Sequence, residues 1–367
     1  MRVSASSCLC SALLVTLTAC GRAPDALSPA VPFVRDGQAS SEQSVNVGHT
    51  VRFFKSSFVF GGKPFTYTMV GSNPFTAPST VTIPTVIIPV ELRFGSVIFD
   101  PTTAVREIQQ SPIFNPGTPY PAGRLQYGDA VMRSEFWSFV HANNNYHVLL
   151  EKPLVRTAHL LTITSSAQGF IGTTSGVRTA FLHSQYFLDP HGIEQQLLAQ
   201  YKVTPDTLTI FALTDTRMLE ESGNCCYNGY HTSFTVSTAT GLSTFTTVWG
   251  NVSAESPLDL SHVSHEVAEW LNDPFYSPPA VLPTSAAQFN RVPTWIHPVT
   301  KTCLSNELEV GDPLVKAHFT VNDGVNTFTV QDIAFLSWFS RSKPSIGIGG
   351  RYDLLGALAP QTGACPS

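Results

Sequence analysis

Basic side chains are scarce in this 367-residue chain: 21 Lys and Arg stand against 26 Asp and Glu, and charged residues make up only 13%. The formal net charge is -5, and no basic cluster occurs anywhere. A nucleic-acid partner is thereby excluded, because holding phosphates needs concentrated Lys and Arg. After the first twenty residues no run is long and apolar enough to cross a bilayer as a helix. No C-x-x-C pair occurs, which argues against a zinc knuckle. A serine nucleophile has no G-x-S-x-G elbow to sit on. The G-I-G-G around Gly347 lies in no clear strand–helix frame, so it matches no phosphate loop.

The chain opens M-R-V-S-A-S-S-C-L-C-S-A-L-L-V-T-L-T-A-C-G, an arginine followed by a short apolar run, which is the shape of a secretory signal. Leu17-Thr18-Ala19-Cys20 has the form of a bacterial lipobox, with cleavage before a Cys20 that takes lipid; cleavage near Ala23 is the alternative. Gly21 is not the aspartate that retains some lipoproteins at an inner membrane. The expectation is an exported protein of the bacterial cell envelope, held at the outer membrane by its N-terminal lipid alone. Residues 1–19 would then be signal, 20–46 a tether rich in Ala, Pro, Ser and Gln, and 47–367 one elaborated α+β domain.

Cys8 and Cys10 leave with such a signal, and Cys20 stays as the residue that takes lipid. Cys225, Cys226, Cys303 and Cys365 remain, an even number suited to two disulfides in an oxidising compartment. Adjacent cysteines seldom pair with each other. Cys225 and Cys226 are therefore expected to reach separately towards Cys303 and Cys365.

From Val51 the pattern is strands: V-R-F-F, S-S-F-V-F-G-G-K-P-F-T-Y-T-M-V and T-V-T-I-P-T-V-I-I-P-V-E-L-R-F. Pro84 and Pro89 mark the last run as an edge strand or an interrupted one. Met132, Phe136 and Phe139 recur at helical spacing, and a second helix begins near Gly192. His141 and His147 beyond the first helix read as surface or hydrogen-bonded residues, and His297 as structural. T-L-T-I-F-A-L-T, T-S-F-T-V and L-S-T-F-T-T-V-W are further strands. Strands and helices interleave without a βαβ rhythm, so the fold class is α+β: a mixed sheet with a site helix, preceded by a strand-rich part.

Asp259 to Asp273 separates into two faces when turned at about 100° per residue. Leu260, Val263, Val267, Trp270 and Leu271 form the apolar side; His262, His265, Glu266, Glu269 and Asp273 form the other. Pro257 is placed to begin this helix, and Asn272 with Pro274 ends it. The polar side has no Lys or Arg, although solvated helix faces usually mix both signs. Carboxylates and imidazoles crowded in this way compete for protons unless a cation sits among them. His265 and Glu269, four apart, offer a nitrogen and an oxygen to one point, with Glu266 facing a water beside it. The acidic run N-E-L-E-V-G-D-P, Asn306 to Pro313, is the best source of a third ligand.

Ser264-His265-Glu266…Ala268-Glu269…Asp273-Pro274, with Glu309-Val310-Gly311-Asp312 downstream, resembles exported zincin-like proteins of bacteria and fungi and the phosphate-induced (exordium-like) extracellular proteins of plants. The Cys225–His231 block is similar to a cysteine-plus-histidine segment of such proteins, and the resemblance covers roughly residues 205 to 315. It implies that His265 and Glu269 are metal ligands, Glu266 the general base and Glu309 the third ligand, with Asp312 the runner-up. A disulfide from Cys225 or Cys226 to Cys303 would bring the Gly229-Tyr230-His231 loop beside Glu309, where His231 or Tyr230 can steady an oxyanion. His262 would donate to Glu266 or Glu269 from behind.

The usual zinc-protease helix reads H-E-x-x-H; here Glu269 replaces the second imidazole. That lowers the charge of a zinc site from about +1 to about zero and leaves its water less acidic than the pKa of roughly 7 typical of strong zinc hydrolases. Zinc is the expected ion, with manganese or calcium also suited to carboxylates. The first functional expectation is a peptide hydrolase, its substrate held by the strand ending at Trp249. The second is a non-catalytic binding or structural module, with cell-wall glycan or another surface polymer as partner, which solvent-facing Phe and Tyr in the first hundred residues would favour.

Overall fold

The computed structural model describes residues 48–188, 192–220, 225–238, 241–277, 289–303, 306–361 and 365. The expected signal, the tether and Cys20 lie outside these residues. The architecture is mixed α+β, with several sheets and few helices. Its centre is a seven-stranded sheet. The main path uses β1 (Thr85–Phe94), β2 (His159–Ile163), β3 (Leu208–Ala212), β4 (Gly229–Thr238) and β5 (Gly241–Gly250), in the spatial order β2-β1-β3-β5-β4. The β2–β1, β1–β3 and β3–β5 pairs are parallel; β4 and β5 form an antiparallel hairpin that ends the sheet.

Side-chain alternation along these strands builds two cores. Ile87, Ile210 and Val248 face one side; Ile88, Phe211 and Trp249 face the other. The first side packs on α1 (Tyr127–Glu135) and α3 (Ser261–Asn272), through residues such as Val131, Val263, Val267 and Leu271. The second packs on α2 (Ile193–Gln200), through Leu197 and Leu198.

The helices and strands that the apolar spacing placed are present, alongside others it did not place, such as the helix Thr102–Gln110 and the strands Val177–His183 and Thr327–Gln331; two local points differ. Pro84 does interrupt its run, separating the strand Thr80–Ile83 from β1. Pro89, however, sits inside β1, which is paired on both flanks rather than at an edge. On the flank away from β3, partners change there: Leu154–Val155 pairs with Val86 and Ile87, and β2 takes over at Val90. A missing N–H is tolerated at such a gap.

The second difference is the start of α3, at Ser261 rather than Pro257. The preceding residues join the strand Thr327–Gln331 instead: Leu260 N–H donates to Thr329 O at 2.9 Å, and Thr329 N–H to Leu258 O at 2.9 Å. Asp259 Oδ1 then accepts the Ser261 N–H at 3.0 Å, turning the chain into the helix.

The disulfides correct the expected pairing. Cys225 bonds to its neighbour Cys226, and Cys303 bonds to Cys365, 62 residues away. Among the described residues no helix is long and apolar enough to cross a membrane.

Candidate metal centre

The centre lies where α3 meets β4, the end of the Thr327–Gln331 strand and the Glu309–Asp312 segment. Val263, Val267, Trp270 and Leu271 are buried against the sheet, and this anchoring turns His265, Glu266 and Glu269 towards β4 and the acidic segment. His265 Nε2 lies 3.1 Å from Glu269 Oε2, one helical turn on, and 3.9 Å from Asp312 Oδ1. The ligand atoms of these three residues all fall within 4.8 Å of one another. Donors held about 2.0–2.2 Å from a tetrahedral ion are separated by roughly 3.3–3.6 Å, so the spacing fits a cation such as zinc.

Hydrogen bonding prepares the donors. Gln331 Nε2 donates to Gly311 O at 2.7 Å, which fixes the orientation of the Gln331 amide, because a carbonyl can only accept. Gln331 Oε1 is thereby turned to His265 Nδ1 at 3.1 Å and must accept a proton from it. The Nδ1–H tautomer leaves the Nε2 lone pair facing two carboxylates, so a proton or a cation belongs between them. Such a partner on the far nitrogen is the usual support of a metal-ligating histidine. Gln331 is itself pinned, its N–H donating to Ser264 Oγ at 3.0 Å and its carbonyl accepting from Tyr127 OH at 2.8 Å. Glu269 is oriented likewise: Gly311 N–H donates to Oε1 at 3.0 Å, leaving Oε2 for the imidazoles. Gly311 must be glycine here, since a Cβ would come within 2.5 Å of His265 Nδ1.

Glu309, expected as the third ligand, is absent from the converging donor atoms among the described residues; Asp312, the runner-up, is the carboxylate that joins His265 and Glu269. Glu309 stays near enough to act electrostatically on Glu269 and His231 but joins neither cluster of ligand atoms among the described residues. The turn Asp312–Leu314 begins immediately after Gly311, and it is Asp312 that this turn swings over His265.

His231 arrives by a route the sequence did not show. No disulfide links its loop to Cys303; β4 carries it past α3. His231 Nδ1 lies 3.3 Å from Glu266 Oε2 and 3.5 Å from Glu269 Oε2, forming a second cluster that shares Glu269 with the first. At Gly229, two residues before, a Cβ would stand 2.5 Å from Glu266 Oε1, so only glycine lets β4 approach so closely. His262 does not support either carboxylate. It makes no hydrogen bond to Glu266 or Glu269 among the described residues; burial, with the His265 charge, pushes its pKa down to about 4 against the pull of Asp259. Asp273, also on the polar face, is used structurally: its Oδ2 accepts the Asn290 N–H at 2.7 Å.

Electrostatics in the centre are set by mutual proximity. Burial alone would lower the His265 pKa, but Glu269 and Glu266 outweigh it and hold the ring well above its ordinary value. Burial likewise opposes charge on His231, and hydrogen bonds to Glu266 and Glu269 raise it well above normal. Burial pushes Glu269 up, yet the two imidazoles draw it far below the usual carboxylate range. Glu266 is left raised, burial exceeding the help from His231.

Other expectations fall where they were placed. His147 Nδ1 bonds to Asp129 Oδ2 at 2.7 Å, and His297 Nδ1 accepts the N–H groups of Val299 and Thr300 at 3.1 Å. The strand ending at Trp249 is β5, which is paired on both sides by β3 and β4 and so cannot receive an extended substrate. The sheet edge beside the centre is β4, where the Ser233 N–H already donates to Tyr276 O at 2.7 Å. Gln331, which helps set the donor geometry, was missed because it carries no motif, and Gly311 was read only as part of the E-V-G-D segment. Searches of family models, curated proteins and solved structures returned no match to this chain.

Proposed function

We propose that the chain is an exported, metal-dependent hydrolase acting on a peptide or another extended cell-surface polymer. His265, Glu269 and Asp312 hold the ion, for which zinc suits the nitrogen donor and manganese or calcium the two carboxylates. When bound, such an ion polarises a carbonyl and makes a neighbouring water more acidic. Glu266 accepts the proton of that water, and His231, against Glu266 Oε2, holds the carboxylate in place and offers a donor to developing negative charge. Substrate approaches from the side of Asp312, whose side chain is 49% exposed. The observation that carries the reading is the His265 tautomer imposed by Gln331, which leaves Nε2 aimed at two carboxylates. The leader and the disulfides support export, and Cys20 is the proposed site of lipid attachment.

A second reading, a non-catalytic module braced by a metal, draws on the enclosure of the inner residues: the Glu266 and His231 side chains are only 8% and 3% exposed. The aromatic residues expected to serve glycan binding do not favour it, because every described Phe and Tyr before residue 100 is buried or half-buried. Elemental analysis of the purified protein beside His265→Ala, with a broad peptide-library digest, decides between them. Metal in the wild type, lost in the variant together with cleavage, is the expected result. Metal lost without cleavage by either protein rejects the hydrolase and leaves the brace.

A further inference from the structure

We infer that the centre contains a second, inhibitory cation position, formed by His231, Glu266 and Glu269 on the inner side of the first. The inference rests on the proposed reading in two respects, that Glu269 ligates a cation and that Glu266 accepts the proton. His231 Nδ1 faces Glu266 Oε2 at 3.3 Å and Glu269 Oε2 at 3.5 Å, and the three ligand atoms lie within 4.8 Å of one another. Those separations match the edges of a tetrahedral donor set as well as the outer position does. The donors are again one nitrogen and two oxygens, so both positions select the same class of ion.

Glu269 joins the two positions. The same oxygen, Oε2, lies 3.1 Å from His265 Nε2 and 3.5 Å from His231 Nδ1. A carboxylate oxygen shared in this way is the bridge found in paired-metal sites, whose ions stand about 3.5–4 Å apart. The charge inventory points in the same direction. Glu266, Glu269, Glu309, Asp312 and Asp273 crowd together, and the leading charges acting on them are one another, Glu307 and two imidazoles; no Lys or Arg is among them.

The two positions are not equivalent. Gln331 presets the outer histidine for ligation, and Asp312 opens the outer position to solvent. An ion entering the inner position meets a Glu269 already engaged and a like charge close by, so it binds more weakly. Once seated, it uses the Glu266 carboxylate as a ligand and removes the group proposed to accept the proton. The metal is therefore activator at its first equivalent and inhibitor at its second.

The test is a zinc titration of the chelator-stripped full chain, with bound metal counted by equilibrium dialysis and elemental analysis. Wild type is expected to bind two ions, the second at least about tenfold more weakly, while Glu266→Gln and His231→Asn each bind one. In whichever peptide assay registers activity, the wild type should lose activity as the second ion loads. A wild type that binds a single ion overturns the inference and leaves the proposed function standing; one that binds none overturns both. Two ions retained in both variants also overturns it. Should His231→Asn fail to fold by circular dichroism, Glu266→Gln, equal in size to the native residue, carries the comparison alone.

Discussion

Two buried glutamates lie on opposite sides of the same sheet and end in opposite protonation states. Glu194, on α2, meets the Thr247 hydroxyl of β5 and, among the described residues, no basic group, so burial pushes its pKa up to about 8 and it is a neutral acid at pH 7. Glu269, on α3, is buried to a similar degree but meets two imidazoles and the Gly311 N–H, and it is held as a carboxylate. Burial raises the cost of charge on both. Only the immediate partners decide which of them keeps it, and only the one that does can hold a cation.

The largest effect that would sharpen this contrast concerns the acidic segment. Asp312→Ala should weaken metal binding by at least about 100-fold, since a ligand is lost and ligands matter more than the groups behind them. Glu309→Ala should leave the affinity of the outer position within a few-fold of wild type. Calorimetric titration of both variants checks the assignment, and the reverse pattern would restore Glu309 as the ligand.

Next comes the neutral side. Glu194 has a folded pKa of about 8 against an ordinary value of 4.5. Between those values the folded state keeps a proton that the unfolded state has released. Its stabilising contribution is complete below pH 4.5 and is lost as pH rises through 8, changing the unfolding equilibrium by up to about tenfold per pH unit. Glu135, on α1, is also pushed up to about 8 by burial and adds to the same trend. Denaturant unfolding from pH 5 to 8 should show the decline in wild type and a shallower one in Glu194→Gln. An unchanged slope would mean that Glu194 is not a buried neutral acid.

Smaller effects test the support of the charged side. Gln331→Leu removes the acceptor that fixes the His265 tautomer and should weaken metal binding by about 10- to 100-fold without unfolding the protein. Gly311→Ala should cost at least as much as Gln331→Leu, because its Cβ would stand 2.5 Å from His265 Nδ1 and displace the ring that carries the donor. Both are read by the same titration, and indifference to Gln331→Leu would count against the tautomer argument.

How far the sequence carried depends on what kind of information each feature holds. The apolar face of α3, Val263 to Leu271, was legible because its burial needs only helical spacing, and so was the convergence of His265 and Glu269, one turn apart. The start of α3 was misplaced because Leu258 to Leu260 pair with a strand some seventy residues later, a contact that no local pattern announces. Asp312 and Glu309 both fit the motif, and only the turn at Asp312–Leu314 separates them. The pairing of Cys225 with Cys226 ran against the expectation that neighbours avoid each other. Gln331, at the end of an ordinary T-F-T-V-Q strand, had nothing to distinguish it until Gly311 O and His265 were seen on either side of its amide.

The most direct test of the contrast between the two glutamates is the zinc content of the full chain purified as wild type, Glu269→Gln and Glu194→Gln, each a substitution that removes the titratable group and preserves shape. Metal should be present in wild type and Glu194→Gln and absent from Glu269→Gln. Equal metal in all three proteins, or none in the wild type, would contradict the assignment of Glu269 as the charged centre of the site.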